Sequence, residues 1–104
     1  MKLPGLKVEV TKQGDAVTVT MVGEAHFDFD ASDAHIKTVV NLNPKSVVVD
    51  AGKLTFITSI GICFLINLRR HIREMGGSMK LTNLQPQVRK VMELTHVIHL
   101  FELG

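Results

Sequence analysis

Leu6, Val8 and Val10 alternate with Lys7, Glu9 and Thr11, the two-residue period of a strand with one face on a core. After Gln13-Gly14-Asp15 a second alternation sets Val17, Val19 and Met21 against Thr18, Thr20 and Val22, so the opening predicts a β-hairpin ending at Gly23. Residues 24–33 hold the acids Glu24, Asp28, Asp30 and Asp33, with Asp30 or Ser32 placed to cap a following helix. Ile36, Val39 and Val40 give that short helix its apolar stripe. Asn43-Pro44 ends it, because the residue before proline is pushed out of the helical region. Ser46-Val47-Val48-Val49-Asp50 is β-branched without alternation, the pattern of a central strand covered on both faces, and a loop through Gly52 and Lys53 is expected after it.

From about Ile60 to Met75, the residues Ile60, Phe64, Leu68, Ile72 and Met75 recur at helical spacing, and Ile62, Cys63, Leu65 and Ile66 widen the apolar side. The first half of this helix reads as nearly all buried, with Cys63 a small core residue. The second half turns polar at Arg69, Arg70, His71, Arg73 and Glu74, and Gly76-Gly77 supplies a left-handed stop. Ser78 to Thr82 predicts another strand. Pro86 suits a first helical turn, and Val88, Val91, Met92 and Thr95 form one face of a last helix. The tail from Val97 to Leu103 is apolar and expected to pack down. Strand, helix, Gly-Gly, strand is a βαβ unit, so Val47–Asp50 and Met79–Thr82 should run parallel. The order β-β-α-β-α-β-α predicts an α/β fold, a single domain over residues 1–104 with a mixed sheet of four to five strands.

Composition narrows the function classes. The chain has 104 residues, enough for one core and not two. A formal charge of +2, with no Trp or Tyr, argues against an obligate nucleic-acid binder. Cys63 is the only cysteine, which excludes an internal disulfide and fits a cytoplasmic location. The longest near-continuous apolar stretch, Ile57 to Leu68, is too short for an integral membrane segment, and the N-terminus lacks the apolar run of a signal peptide.

The central turn Phe56-Ile57-Thr58-Ser59-Ile60-Gly61 places two hydroxyls where a loop meets the most apolar helix. Ser59 reads either as the N-cap, a local effect of about 1 kcal/mol, or as an acceptor for a phosphoryl group that the helix N-terminus would favour. His26, Asp28 and Asp30 fall two apart and would share a face of an extended chain, but they lack the spacing of a zinc or calcium loop. A small metal-dependent enzyme built on them is the weakest of three readings. No Gly-rich phosphate loop is present, since Gly76-Gly77 ends a helix and no Lys-Ser/Thr follows. Arg69, Arg70 and Arg73 form a basic helix end, by default a solvated face and otherwise a contact for an acidic partner or an anionic lipid headgroup.

These pieces together resemble the STAS domain family, which includes bacterial anti-sigma-factor antagonists and domains appended to sulfate transporters. The resemblance runs from about Val17 to Leu103 through Gly23-Glu24, Val47-Val48-Val49-Asp50, Phe56-Ile57-Thr58-Ser59-Ile60-Gly61-Ile62, Gly76-Gly77 and Leu81-Thr82-Asn83, and closes on the segment from Pro86 to Thr95. The family's central motif, Asp-Ser-(Ser/Thr)-Gly-Leu, puts the phosphorylated serine at Ser59. Thr58 then stands in place of the Asp, Ile60 in place of the second hydroxyl, and Gly61 and Ile62 fit. The family's Gly-Glu-Leu-Asp after the second strand appears as Gly23-Glu24-Ala25-His26.

The resemblance implies a non-enzymatic regulator of transcription that signals through protein–protein contact. Its partners would be an anti-sigma factor that is also a serine kinase, and a phosphatase that resets the switch. It implies no cofactor and no metal. Partner contacts are expected from Glu24, His26, Asp28, Thr58, Ser59, Ile60, Gly61 and Ile62. The alternative within the same fold is a scaffold subunit of a lipid-transport or signalling complex in which Ser59 is never phosphorylated.

Overall fold

In the computed structural model, which describes residues 6–25 and 33–103, the opening alternation forms strands β1 (Leu6–Gln13) and β2 (Ala16–Ala25). They pair antiparallel in the register Val8↔Met21 and Val10↔Val19, which puts the apolar set of both strands on one face. The turn between them needs Gly14 at φ +61°, a backbone state that costs a residue with a β-carbon roughly 1–2 kcal/mol. Helix α1 (Asp33–Asn41) follows and buries Ile36 and Val39. The expected caps Asp30 and Ser32 lie outside the described residues.

Strand β3 (Ser46–Ile57) departs from expectation in two ways. It runs through Gly52 and Lys53 instead of ending before them, and its pairing with β2 continues to Ala25↔Ile57. The register shifts between Thr20 and Val22 and again between Gly23 and Glu24, each time placing one extra residue in β3. Burial therefore falls on Ala51, Leu54 and Ile57, three apart instead of two, and the strand loses its sequence signature. Nor is β3 covered on both faces. Val47 and Val49 are buried, while Val48 and Asp50 are half-buried on an outer face shared with Thr18, Thr20 and Thr82.

Helix α2 (Ser59–Glu74) leads to strand β4 (Ser78–Thr82), which lies parallel to β3 from Val47↔Met79 to Asp50↔Thr82 as the βαβ reading requires. The Gly77 N–H donates to the Ile72 carbonyl and the Gly76 N–H to that of Arg73, both at 2.9 Å, with Gly76 at φ +81°. This double bond pattern closes the helix where no further turn can form. Helix α3 (Pro86–Leu94) starts on its proline and buries Val88 and Met92. The apolar tail makes a 3₁₀ turn (Ile98–Leu100), buries Phe101 and adds a two-residue strand, β5 (Glu102–Leu103), parallel to β4.

The result is a mixed five-stranded sheet in the order β1-β2-β3-β4-β5 with three helices, β3 at its centre. Phe64, Leu65, Leu68 and Ile72 of α2 join Ile36, Val39, Val88 and Met92 in one core with the inner face of the sheet. Among the described residues no helix is long and apolar enough to cross a membrane.

Because β4 pairing stops at Asp50↔Thr82, the edge of β3 beyond Asp50 has no strand beside it there among the described residues. Side-chain amides stand in: Gln85 Nε2 donates to the Gly52 carbonyl at 2.7 Å and Gln87 Nε2 to that of Thr55 at 3.5 Å. Asp50 Oδ1 accepts the Gly52 N–H at 3.0 Å and Asn83 Nδ2 at 3.2 Å. The Gly52 bond first, then Asn83, holds this carboxyl below its ordinary value of 3.8. A depressed folded-state pKa stabilises the fold above the unfolded value and is lost as pH falls through the folded one. Asp50→Asn is thus expected to be less stable than the parent at neutral pH, with the gap closing below about pH 4. Urea unfolding at both ends of that range checks it; a gap that persists in acid would assign the loss to packing.

Candidate partner-binding site at the start of helix α2

The paired stretch Ala25↔Ile57 fixes the chain up to buried Ile57, and Thr58 continues extended at φ −106°, ψ 176°. The Thr58 carbonyl accepts the Ile62 N–H at 3.0 Å, the first bond of α2. The N-cap is therefore Thr58, and Ser59, expected to be the cap, is the first residue inside the helix. The strand carries the chain one residue further than propensity suggests, because its pairing with β2 reaches Ile57.

Ser59 is exposed at this first position. The N–H groups of Ser59, Ile60 and Gly61 precede the first intrahelical donor, so the ladder gives them no acceptor. Thr58 makes no side-chain capping bond, and the first turn holds no acid. The site thus combines an accessible hydroxyl with donors that the helix ladder leaves unused and the positive end of a 16-residue helix.

Thr58 carries the hydroxyl that does not serve. Its Oγ1 is buried and has no hydrogen-bond partner among the described residues. Such a group forfeits about 1–3 kcal/mol of hydration. Thr58→Val, which keeps the shape and the extended backbone, is accordingly expected to leave stability unchanged or raise it by up to about 1 kcal/mol. Loss of a capping threonine normally costs about 1 kcal/mol, so a drop of that size in urea unfolding would show that the hydroxyl caps in solution.

Glu24 lies opposite Phe56 and Ala25 opposite Ile57 in the β2–β3 ladder, so β2 ends beside the start of α2. His26 and Asp28, like Asp30, fall outside the described residues. Ile60 lies in the first turn of the helix. Gly61 and Ile62 are buried, and Ile62 belongs to the core, where it anchors the turn. Among the described residues no group of three His, Cys, Asp or Glu side chains is placed to hold a metal.

Cys63 is exposed, not in the core. It stands four residues after Ser59 and so on the same helix face. Phe56, next to the last residue of β3, is 45% exposed. The sequence pattern reads Cys63 as a small core residue and gives Phe56 no role of its own, and the structure corrects the first.

The family model for the STAS domain matches residues 7–104, and the chain belongs to that family. A protein of Bordetella bronchiseptica described as "Putative anti-sigma factor antagonist BtrV" is 29% identical over 72 residues, which span 69% of this chain and 62% of that relative. The crystal structure of an anti-sigma factor antagonist from Mycobacterium paratuberculosis superposes with a TM-score of 0.80 at 22% identity, covering 95% of this chain and 85% of that one. The phosphorylated form of the Bacillus cell fate determinant SpoIIAA gives 0.68 at 20% identity, covering 96% and 91%. The two structures share the fold with this chain, a mixed sheet flanked by helices.

Proposed function

We propose that this protein is a regulatory binding domain of the anti-sigma-factor-antagonist type, which docks on an anti-sigma factor with serine-kinase activity and is switched by phosphorylation of Ser59. The observation that carries the reading is the exposed Ser59 hydroxyl on the first residue of α2, next to N–H groups with no helical acceptor. In the free form, Ser59, Cys63 and Phe56, with Glu24 and the following segment that holds His26 and Asp28, form the surface offered to the partner. Thr58, Gly61 and Ile62 act through the backbone, holding the turn, and Ile60 completes it.

Phosphorylation adds a charge of about −1.5 to −2 where the helix end stabilises it, so the fold survives while the docking surface gains negative charge. The partner is released, and a phosphatase restores the binding form. Such exchange with a sigma-factor regulator places the protein in the cytoplasm. The relatives support the reading: one bears the description of an anti-sigma factor antagonist, and another of this fold is described in a phosphorylated form. Intact and peptide mass spectrometry of the chain from its native cells tests it. One phosphoryl group on Ser59 is the expected result; its absence under all growth conditions, with a partner still bound, would leave the constitutive scaffold.

A further inference from the structure

At the end of α2 remote from Ser59 lies an open recess of about 420 Å³, enclosed by the last turns of the helix, the Gly76-Gly77-Ser78 connection, the 3₁₀ turn and β5. Arg69 and Arg73, one helical turn apart, line it together with Ser78, Met79, Leu100 and Glu102. Neither guanidinium makes a hydrogen bond or ion pair with any described residue. The negative end of the helix accounts for a cation in the last turn, at Arg73. It does not account for half-buried Arg69 lining the same hollow.

We propose that this recess binds a small phosphorylated molecule of sugar-phosphate size. Two guanidinium forks and a serine hydroxyl match the oxygens of a phosphoryl group, which a lone ammonium would meet as a point charge. Met79 and Leu100 give an apolar wall for the carbon skeleton. Glu102 disfavours a second anionic group and accepts a hydrogen bond from a hydroxyl, so the ligand carries its charge at one end and donors at the other. The volume lies in the range of small-molecule sites and is a hollow, not a flat protein-docking face. Ser59 is about 20 Å away along the helix, so this site neither requires nor blocks the proposed switch.

Titration of glucose 6-phosphate into the full ¹⁵N-labelled chain, with inorganic phosphate and glucose in parallel, tests the proposal. Saturable amide shifts are expected around Arg69, Arg73, Ser78 and Glu102 with the sugar phosphate, weaker ones with phosphate and none with glucose. Arg69→Gln and Arg73→Gln should each weaken binding by about tenfold or more, and Arg70→Gln, on the same helix but not in the recess, by less than about twofold. The proposal is overturned by shifts that never saturate, by an equal loss in Arg70→Gln, which would show diffuse attraction to positive charge, or by phosphate binding as tightly as the sugar phosphate.

Discussion

Ser59→Asp is expected to weaken the complex with the proposed anti-sigma kinase partner by about 100-fold or more, while Ser59→Ala stays within about twofold of the parent. The two substitutions separate because Ser59 has two properties. As a helix residue it contributes little: it is exposed, it is not the cap, and alanine is the better helix former. As a site for charge it is sensitive, because an anion there lies within a face that a partner must desolvate, where a like-charge or unpaired-charge contact costs several kcal/mol. The fold itself tolerates the aspartate, since a negative group at a helix N-terminus is favoured by about 0.3–1 kcal/mol. Ser59→Asp should therefore melt no lower than the parent while failing to co-purify with its partner. Equal binding by both variants would remove the switch and leave the scaffold subunit. Unfolding of Ser59→Asp would refute the description of the site as an open helix end.

The helices and the first two strands are legible in the sequence because each keeps one period throughout: two for Val17-Val19-Met21, and three to four for Phe64-Leu68-Ile72. The extension of β3 is not, because two extra residues in that strand move burial to Ala51, Leu54 and Ile57, a spacing that matches no strand. Strand β5 is hidden by its length, since two residues cannot show alternation. Val48 misled in another way: a branched apolar residue also suits a half-buried outer face, so Val47-Val48-Val49 reads as two-sided cover when only one side is covered. At the site, the near-continuous apolar run from Ile60 to Ile66 masks the outward position of Cys63, which only the helix phase set by Thr58 reveals. The amides of Gln85 and Gln87 and the Asp50–Asn83 bond depend on where β4 stops pairing, a tertiary fact with no local signal.

Phe64→Ala is expected to cost about 3–5 kcal/mol and to lower the melting temperature by about 10 °C or more. Phe64 has no exposed surface, heads the largest fully buried side chains, and meets the His35 ring edge-on at a centroid distance of 6.2 Å. It thus ties α2 to both the sheet core and α1, and its removal leaves a void that neighbours on three elements cannot all close. Cys63→Ala, one residue earlier and exposed, should stay within about 0.5 kcal/mol, so the pair reads out the helix phase itself. The chain has no Trp or Tyr, which makes far-UV circular dichroism the suitable probe. The consequence reaches the partner site. The exposed helix start at Ser59 exists only while α2 is docked, and a domain of this size holds about 5–15 kcal/mol in all. Phe64→Ala should therefore reduce partner binding in proportion to its unfolded fraction at each temperature, while the folded molecules bind with parental affinity. A lowered affinity at temperatures where Phe64→Ala is fully folded would mean that the core residue positions the Ser59 turn directly, and that the turn is less firmly set by the β2–β3 pairing than its register indicates.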